Sequence, residues 1–180
     1  MILAAGRGER MRPLTDSTPK PMIPVAGRSM LDRSMDRLVA HGVRTVVVNV
    51  HHLGEQIATH LDGRARIVRE ERLLETGGSV KNALPLLGDG PWFVLNGDGL
   101  WRDGSQPMLS RMEAAWDPAR MDALLLLHPI EKAIGREAKD RGDYFLGPDS
   151  RAHHRGGKPS APFMFASVSV CDSRLFRGSP

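Results

Sequence analysis

Three runs of consecutive apolar residues constrain the fold more than any other feature of this sequence. They are Thr45–Val50 (TVVVNV), Trp92–Asn96 (WFVLN) and Ala123–His128 (ALLLLH), and a shorter apolar start, Ile2–Ala4, precedes them. The runs are continuous rather than alternating, which is typical of strands that are covered on both faces. We therefore predict a sheet with helices packed against both of its faces.

Helical periods lie between these runs. The residues spaced three or four apart are Leu31, Met35, Leu38 and Val39, then Leu53, Ile57 and Leu61, then Val80, Leu84 and Leu87, and finally Leu109, Met112 and Trp116. Ser29 is predicted to cap the first helix and Gly42 to end it. This alternation of strands and helices predicts an α/β fold with an open, mostly parallel sheet. Ligands of such sheets bind beyond the carboxyl ends of the strands.

The C-terminal part of the sequence has a different character. Asp143–His154 (DYFLGPDSRAHH) predicts two strands joined by a Gly-Pro-Asp-Ser turn, and Phe163–Val170 (FMFASVSV) predicts another strand. We expect a short antiparallel extension beside the main sheet, within a single domain that covers residues 1–180.

Composition and charge indicate the cellular compartment and the class of partner. A single cysteine, Cys171, cannot form an internal disulfide, and no apolar run approaches the ~20 residues of a membrane span, so we expect a cytoplasmic protein. The net charge of +4 is spread along the chain among many acidic residues, and aromatic residues make up only 5%. This pattern argues against nucleic acid, and the charge would be explained either by a small phosphorylated ligand or by an ordinary solvated basic surface.

The segment after the first strand, Leu3–Gly27 (LAAGRGERMRPLTDSTPKPMIPVAG), is too polar for a core. Its small residues let the backbone approach a ligand closely, and successive N–H groups in such a turn form an anion site. Lys20 lies between two prolines, so it can reach a phosphate at a lower entropic cost. The segment predicts a receptor for a triphosphate. It lacks the third glycine of a dinucleotide fingerprint and the Gly-Lys-Ser/Thr of a P-loop.

This segment closely resembles the signature of the sugar-nucleotide pyrophosphorylases, L-A-A-G-x-G-x-R-x-x-P-L-T-x-x-x-P-K-P-x-x-P-V. The similarity continues through Leu73–Gly78 (LLETGG), Leu95–Asp98 (LNGD) and Arg141–Leu146 (RGDYFL). Among members, the resemblance is strongest to the compact bacterial enzymes that transfer UMP from UTP to N-acetylmuramate α-1-phosphate in peptidoglycan recycling. The resemblance implies a Rossmann-like, GT-A-type fold, UTP and a sugar 1-phosphate as substrates, and Mg²⁺ as cofactor.

The resemblance also implies a role for individual residues. The nucleotide would be bound by Ala4, Ala5, Gly6, Arg7, Gly8, Glu75, Gly77 and Gly78. Arg10 and Lys20 would be catalytic, Asp98 would bind Mg²⁺, and Asn96 and Asp143 would bind the sugar. Arg12 is left open between a phosphate contact and an ordinary surface arginine. We assign no chemistry to the histidine pairs His51–His52 and His153–His154.

One departure from the family leaves the activity of this chain open. Members usually continue with a V-G-T motif that follows a second metal-binding aspartate, and this sequence has no such motif. The sequence is therefore expected to be a fragment, or a truncated domain that binds nucleotide without turnover. A second alternative is an enzyme similar to mannose-1-phosphate guanylyltransferase, which shares the first motif.

Overall fold

The computed structural model describes residues 1–135, 137 and 139–178. Its strands, in chain order, are β1 (Ile2–Leu3), β2 (Pro24–Val25), β3 (Arg28–Ser29), β4 (Val47–Val50), β5 (Arg66–Arg69), β6 (Trp92–Asn96), β7 (Ala123–Pro129), β8 (Tyr144–Leu146), β9 (Ala152–His154) and β10 (Phe163–Cys171). Its α-helices are α1 (Leu14–Ser17), α2 (Met30–Ala40), α3 (Gly54–Leu61), α4 (Thr76–Leu87) and α5 (Met108–Ala115).

One mixed sheet organises the described part of the chain. Its strand order is β5-β4-β1-β6-β10-β8-β9, with β7 paired to β10, while β2 and β3 form a separate hairpin. Strands β5, β4, β1 and β6 are parallel to one another. The predicted α/β class, with antiparallel strands near the C-terminus, is confirmed.

The position of β10 differs from the expectation that the C-terminal strands lie beside the main sheet. β10 runs antiparallel to both β6 and β7 and lies between them. β7 therefore has the same direction as β6, although a reversed strand separates the two. The local pattern of Phe163–Val170 predicted a strand but carried no information about its neighbours.

Helices cover both faces of the sheet, as the continuous apolar runs predicted. Val48 and Val50 belong to a core cluster that contains residues of α2, α3 and α5, whereas Val47 belongs to a second cluster that contains residues of α4. Successive side chains of a strand point to opposite faces. Both faces of β4 are therefore buried, and all four of its residues are inaccessible to solvent.

The first predicted helix has the expected ends. The Ser29 hydroxyl accepts a hydrogen bond from the Asp32 backbone N–H at 2.9 Å, and Gly42 follows α2 with a φ of +94°. The helical spacing predicted that Val39 shares a face with Leu31, Met35 and Leu38. This prediction is wrong, because Val39 is 61% exposed whereas the other three residues are buried. Each residue advances about 100° around a helix, so Val39 has rotated past the core face.

The C-terminal strands extend the sheet beyond the carboxyl end of β6. β10 has β7 along one edge, and its other edge pairs first with β8 at Phe163 and then with β6 from Val168 onwards. An irregularity separates these two stretches, and Ser167 within it has a φ of +64°. The strand that follows Asp143 is therefore placed along β10, beyond the point where β6 ends.

Candidate functional site

A cleft of about 570 Å³ lies where β1 and β6 end and α4 begins. It is lined by Leu3, Ala4, Ala5, Gly6, Arg7, Gly8, Glu9, Arg10, Met11, Lys20, Pro21, Leu73, Leu74, Glu75, Thr76, Ser79, Asn96 and Asp98. The strands of a parallel sheet end at the same edge, which is where such folds bind ligands. The topology thus brings together residues from three separate motifs of the sequence.

The loop that follows β1 lines this cleft with residues whose backbone N–H groups have no acceptor among the described residues. Within the described part of the chain, no backbone N–H of residues 5–8 donates a hydrogen bond to another protein group. The neighbouring Ala4 N–H, by contrast, donates to Asn49 Oδ1 at 2.9 Å. A run of N–H groups with no protein acceptor is suited to an anion.

Gly8 holds this loop in a conformation that only glycine adopts without strain. Its φ is +64°, and a Cβ added there would lie 2.8 Å from Thr15 Cγ2 and 3.1 Å from Lys20 Cβ. Thr15 is itself fixed, because it is buried and its hydroxyl donates to the Gly8 carbonyl oxygen at 2.9 Å. The glycine therefore lets the loop and Lys20 pack closely together.

Two arginines add exposed positive charge to the rim of the cleft. Arg7 and Arg10 are exposed, and neither forms an ion pair with any residue that the structure describes. Arg12 is arranged differently, since its Nε lies 3.3 Å from Asp16 Oδ1 and it does not line the cleft. This geometry favours the interpretation of Arg12 as a surface residue.

Lys20 and Asp98 form an ion pair inside the cleft. Lys20 lies between Pro19 and Pro21, which are both buried, and its Nζ donates to Asp98 Oδ2. Asp98 follows the end of β6, where the Gly97 N–H donates to the Leu3 carbonyl oxygen at 2.8 Å. Both side chains remain partly exposed, so the cation and the carboxylate can be reached by a ligand.

The segment that precedes α4 forms the opposite wall of the cleft. Leu73, Leu74, Glu75, Thr76 and Ser79 line this wall. Only Glu75 among them is predicted from the sequence to contact a ligand. The others belong to the Glu-Thr-Gly-Gly motif or adjoin it, and this proximity is the signal that could have identified them.

The two glycines of that motif lie elsewhere. Gly77 and Gly78 are in the first turn of α4 and are not among the residues that line the cleft. A Cβ added to Gly77 would meet no atom within 4 Å, so its surroundings are open. Their predicted contact with a nucleotide base remains a prediction.

Asp143 is separated from the other predicted residues. It lines a second cavity of about 550 Å³ together with Arg141, Arg155 and Met164, and its Oδ2 accepts a hydrogen bond from the Phe165 N–H at 2.9 Å. Asn96, which was predicted with it, instead lies in the cleft beside Asp98. The structure thus places the two predicted sugar contacts in different cavities.

His51 and His52 contact the backbone and are not arranged as a metal site with other residues that the structure describes. His51 Nδ1 lies 2.8 Å from the Glu70 carbonyl oxygen, and His52 Nε2 lies 3.1 Å from the Thr15 carbonyl oxygen, so both rings contact the backbone. Among the described residues, no group of three or more His, Cys, Asp or Glu side chains is arranged to hold a metal ion. No helix in the described ranges has the length and apolar character needed to cross a bilayer.

A model of the nucleotidyl transferase family matches residues 1–133, which include the loop after β1, the wall before α4, and the pair of Lys20 with Asp98. The chain belongs to this family. It is 40% identical, over its whole length and 77% of the relative, to N-acetylmuramate alpha-1-phosphate uridylyltransferase of Caulobacter vibrioides. The enzyme of that name from Neisseria meningitidis is 50% identical over 56% of this chain and 46% of its own length.

The fold of the nucleotidyl transferase family is also found among solved structures. UDP-glucose pyrophosphorylase from Acinetobacter baumanii superposes with a TM-score of 0.73 at 19% identity, over 99% of this chain and 76% of that structure. At this level of identity the match concerns the fold alone. It agrees with the predicted open α/β sheet.

Proposed function

We propose that this chain transfers UMP from UTP to a sugar 1-phosphate, with N-acetylmuramate α-1-phosphate as the preferred acceptor, in peptidoglycan recycling in the cytoplasm. Two relatives carry this activity in their names: one is matched over the whole of this chain, and the other is 50% identical over 56% of it. The structural observation that carries the proposal is the Lys20–Asp98 pair, which shares one cleft with unpaired backbone donors.

The proposed reaction is an in-line displacement at phosphorus. An oxygen of the sugar phosphate forms a bond to the α-phosphorus of UTP, and the bond from that phosphorus to the bridging oxygen of the β-phosphate breaks. Pyrophosphate leaves with the electron pair. The attacking phosphate is already ionised at neutral pH, so positioning and charge neutralisation are the main requirements.

The residues of the loop after β1 would hold the triphosphate. The backbone of Ala4, Ala5, Gly6, Arg7 and Gly8 would supply the close approach, and residues 5–8 would supply the N–H groups. We assign Arg10 to the leaving pyrophosphate, because its guanidinium stands free at the rim of the cleft.

Lys20 is placed to follow the charge as it moves between oxygens. We assign it to the α-phosphate and the incoming sugar phosphate, since a compact ammonium on a flexible stem suits this task. In the ligand-free chain its partner is Asp98. Binding of the triphosphate would draw Lys20 from the carboxylate to phosphate oxygens.

The chemistry of Asp98 fits a divalent cation. Mg²⁺ takes oxygen ligands and is commonly held by one or two carboxylates together with phosphate oxygens and water. A carboxylate that is partly exposed in the cleft meets this requirement. When bound, Mg²⁺ would neutralise charge on the phosphates.

We assign the uracil and the sugar to different sets of residues. Glu75, at the wall before α4, and Gly77 and Gly78, in the first turn of α4, are proposed to contact the uracil. Asn96 is proposed to bind sugar hydroxyls beside Asp98. Asp143 is proposed to contact a more distant part of the sugar, because β8 extends beyond the end of β6 along β10.

A grid of substrates tests this proposal. Pyrophosphate release would be measured for the 180-residue chain with UTP, CTP, GTP and dTTP against N-acetylmuramate α-1-phosphate, N-acetylglucosamine 1-phosphate and mannose 1-phosphate, with mass spectrometry of the products. We expect UTP with N-acetylmuramate α-1-phosphate to give the highest kcat/KM. A preference for GTP with mannose 1-phosphate would support the guanylyltransferase alternative, and UTP binding without product would support the truncated-domain alternative.

A further inference from the structure

A buried chain of hydrogen bonds connects the two walls of the cleft. Ala4 N–H donates to Asn49 Oδ1 at 2.9 Å, and Asn49 Nδ2 donates to Glu70 Oε1 at 2.8 Å. The other oxygen of the same carboxylate, Glu70 Oε2, accepts from the Leu74 N–H at 3.1 Å. Ala4 and Leu74 both line the cleft, whereas Asn49 and Glu70 lie behind it.

The two side chains in the middle of this chain of hydrogen bonds are polar and yet buried. Asn49 is 1% exposed and Glu70 is 6% exposed. Buried amides and carboxylates are retained only where their hydrogen-bonding capacity is used, and here each side chain has partners on both sides. Because the partners are the Ala4 and Leu74 backbones, this buried pair fixes the separation between the loop after β1 and the wall before α4.

We propose that Asn49 and Glu70 are positioning residues for nucleotide binding. They hold the two walls of the cleft at a fixed separation before UTP binds. The inference rests on the proposed function, since it names the nucleotide as the ligand that benefits. A cleft whose walls drift apart is binding-competent for only part of the time, and apparent affinity falls in proportion to that fraction. Loss of these hydrogen bonds should weaken the binding of the nucleotide rather than that of the sugar phosphate, because Asn96 and Asp98 do not belong to this chain of hydrogen bonds.

The direction of each hydrogen bond makes the proposal specific. The Ala4 N–H can only donate, so the Asn49 carbonyl oxygen must face it and the Asn49 NH₂ must face Glu70. The Leu74 N–H also only donates, so Glu70 must accept at both ends. A Glu70→Gln variant would have to turn an NH₂ group towards one of these donors. An Asn49→Asp variant would place two carboxylates against each other.

Exchanging the two functional groups should restore the pattern. In the double variant Asn49→Asp/Glu70→Gln, the new carboxylate accepts from Ala4 N–H and from the new amide, whose oxygen accepts from Leu74 N–H. Every donor again faces an acceptor, and the buried negative charge has moved from residue 70 to residue 49. A simple loss of charge or volume at either site predicts no such recovery.

The experiment compares the wild-type chain with both single variants, the double variant and Val170→Ala. Val170 is buried opposite Phe93, near the start of β6 and away from the cleft, so its truncation lowers stability without touching either wall. The readouts are the Kd for UTP with Mg²⁺ by calorimetry, KM for UTP and for the sugar 1-phosphate, and Tm.

We expect each single variant to raise the Kd and KM for UTP by about tenfold or more, with KM for the sugar phosphate changed by less than about twofold. The double variant should return to within about threefold of wild type, and Val170→Ala should lower Tm alone.

Different failures separate this inference from the proposed function. Wild-type chain that binds no UTP overturns both. Wild-type chain that binds UTP while the single variants bind equally well overturns the positioning role and leaves the proposed function standing. A double variant that fails to fold, or that folds without recovering affinity, also overturns the positioning role, because matched donors and acceptors are its whole basis.

Discussion

Replacing Gly8 by alanine should damage the cleft in a way that can be traced through named atoms. The backbone φ of +64° carries a penalty of about 1–2 kcal/mol for a residue with a Cβ. The new methyl group would also lie 2.8 Å from Thr15 Cγ2, and Thr15 is held by its hydrogen bond to the Gly8 carbonyl oxygen. Forcing these groups apart adds about 1–3 kcal/mol, so the total loss of stability should be about 2–5 kcal/mol.

The same substitution should reduce activity because the added Cβ would also lie 3.1 Å from Lys20 Cβ. A displacement of the lysine by a fraction of an ångström is enough to lower kcat/KM by about 10–100-fold. Gly63→Ala is the matched control. Gly63 has a φ of +77° and open space around the position of a Cβ, so it carries the backbone penalty without any contact.

The assay combines thermal unfolding with initial rates of pyrophosphate release. Tm should fall by about 2–4 °C for each kcal/mol, which gives Gly8→Ala a clearly larger shift than Gly63→Ala. Only Gly8→Ala should lose kcat/KM when both are measured well below their Tm. Equal Tm and equal rates for the two variants would refute the argument that the loop after β1 is packed against Lys20.

Further predictions concern the charged groups. Lys20→Ala should lower kcat/KM by about 10²–10³-fold in the pyrophosphate assay, and Lys20→Arg should recover only part of it, since a planar guanidinium does not replace a compact ammonium; a wild-type rate in Lys20→Ala would contradict the assigned role. Asp98→Asn should abolish most of the Mg²⁺ stimulation while UTP binding in EDTA is kept or tightened, because Lys20 is released from its pair; weaker binding in EDTA would argue against this. Partial burial raises the pKa of Asp32, but hydrogen bonds from Ser29, His60 and Arg64 outweigh it and the net pKa is lowered. A carboxyl group whose pKa is lowered in the folded state stabilises the fold at pH values above its unfolded pKa. This contribution is lost as the pH falls through the folded pKa. Wild type should therefore exceed Asp32→Asn in unfolding free energy by about 1–2 kcal/mol at pH 7, with the gap closing below about pH 4; denaturant titrations across pH would show a constant gap if the reasoning is wrong.

The sequence predicted those strands whose burial is visible in their own composition. Trp92–Asn96 was predicted with the bounds that the structure gives to β6, and the run Thr45–Val50 began only two residues before β4. β5 (Arg66–Arg69) was not located, because it has a charged, exposed residue at each end and only two apolar residues between them. A strand at the edge of a sheet needs no continuous apolar run, so its pattern is weak.

The candidate site was predictable where one motif supplies one wall. The loop after β1 and Lys20 were named from the signature in Leu3–Gly27, and Asp98 was named from the motif Leu95–Asp98. The ion pair between Lys20 and Asp98 was not predicted, because it forms only when the ends of β1 and β6 lie side by side. Asn49 could not be read in this way. It occurs inside an apolar run, and its role depends on a carboxylate 21 positions later in the chain and on the backbone of β1's carboxyl end. Such a contact exists only after the sheet has assembled.

The ion pair of Lys20 and Asp98 also bears on which form of the nucleotide the cleft favours. In the ligand-free chain each charge is the partner of the other. An anion that drew Lys20 away by itself would leave Asp98 uncompensated, and a cation that bound Asp98 by itself would leave Lys20 uncompensated. A triphosphate that arrives with its metal offers an anion to the lysine and a cation to the aspartate, so both regain a partner together. Under the proposed function, charge balance in the cleft therefore favours the metal–nucleotide complex over either component alone.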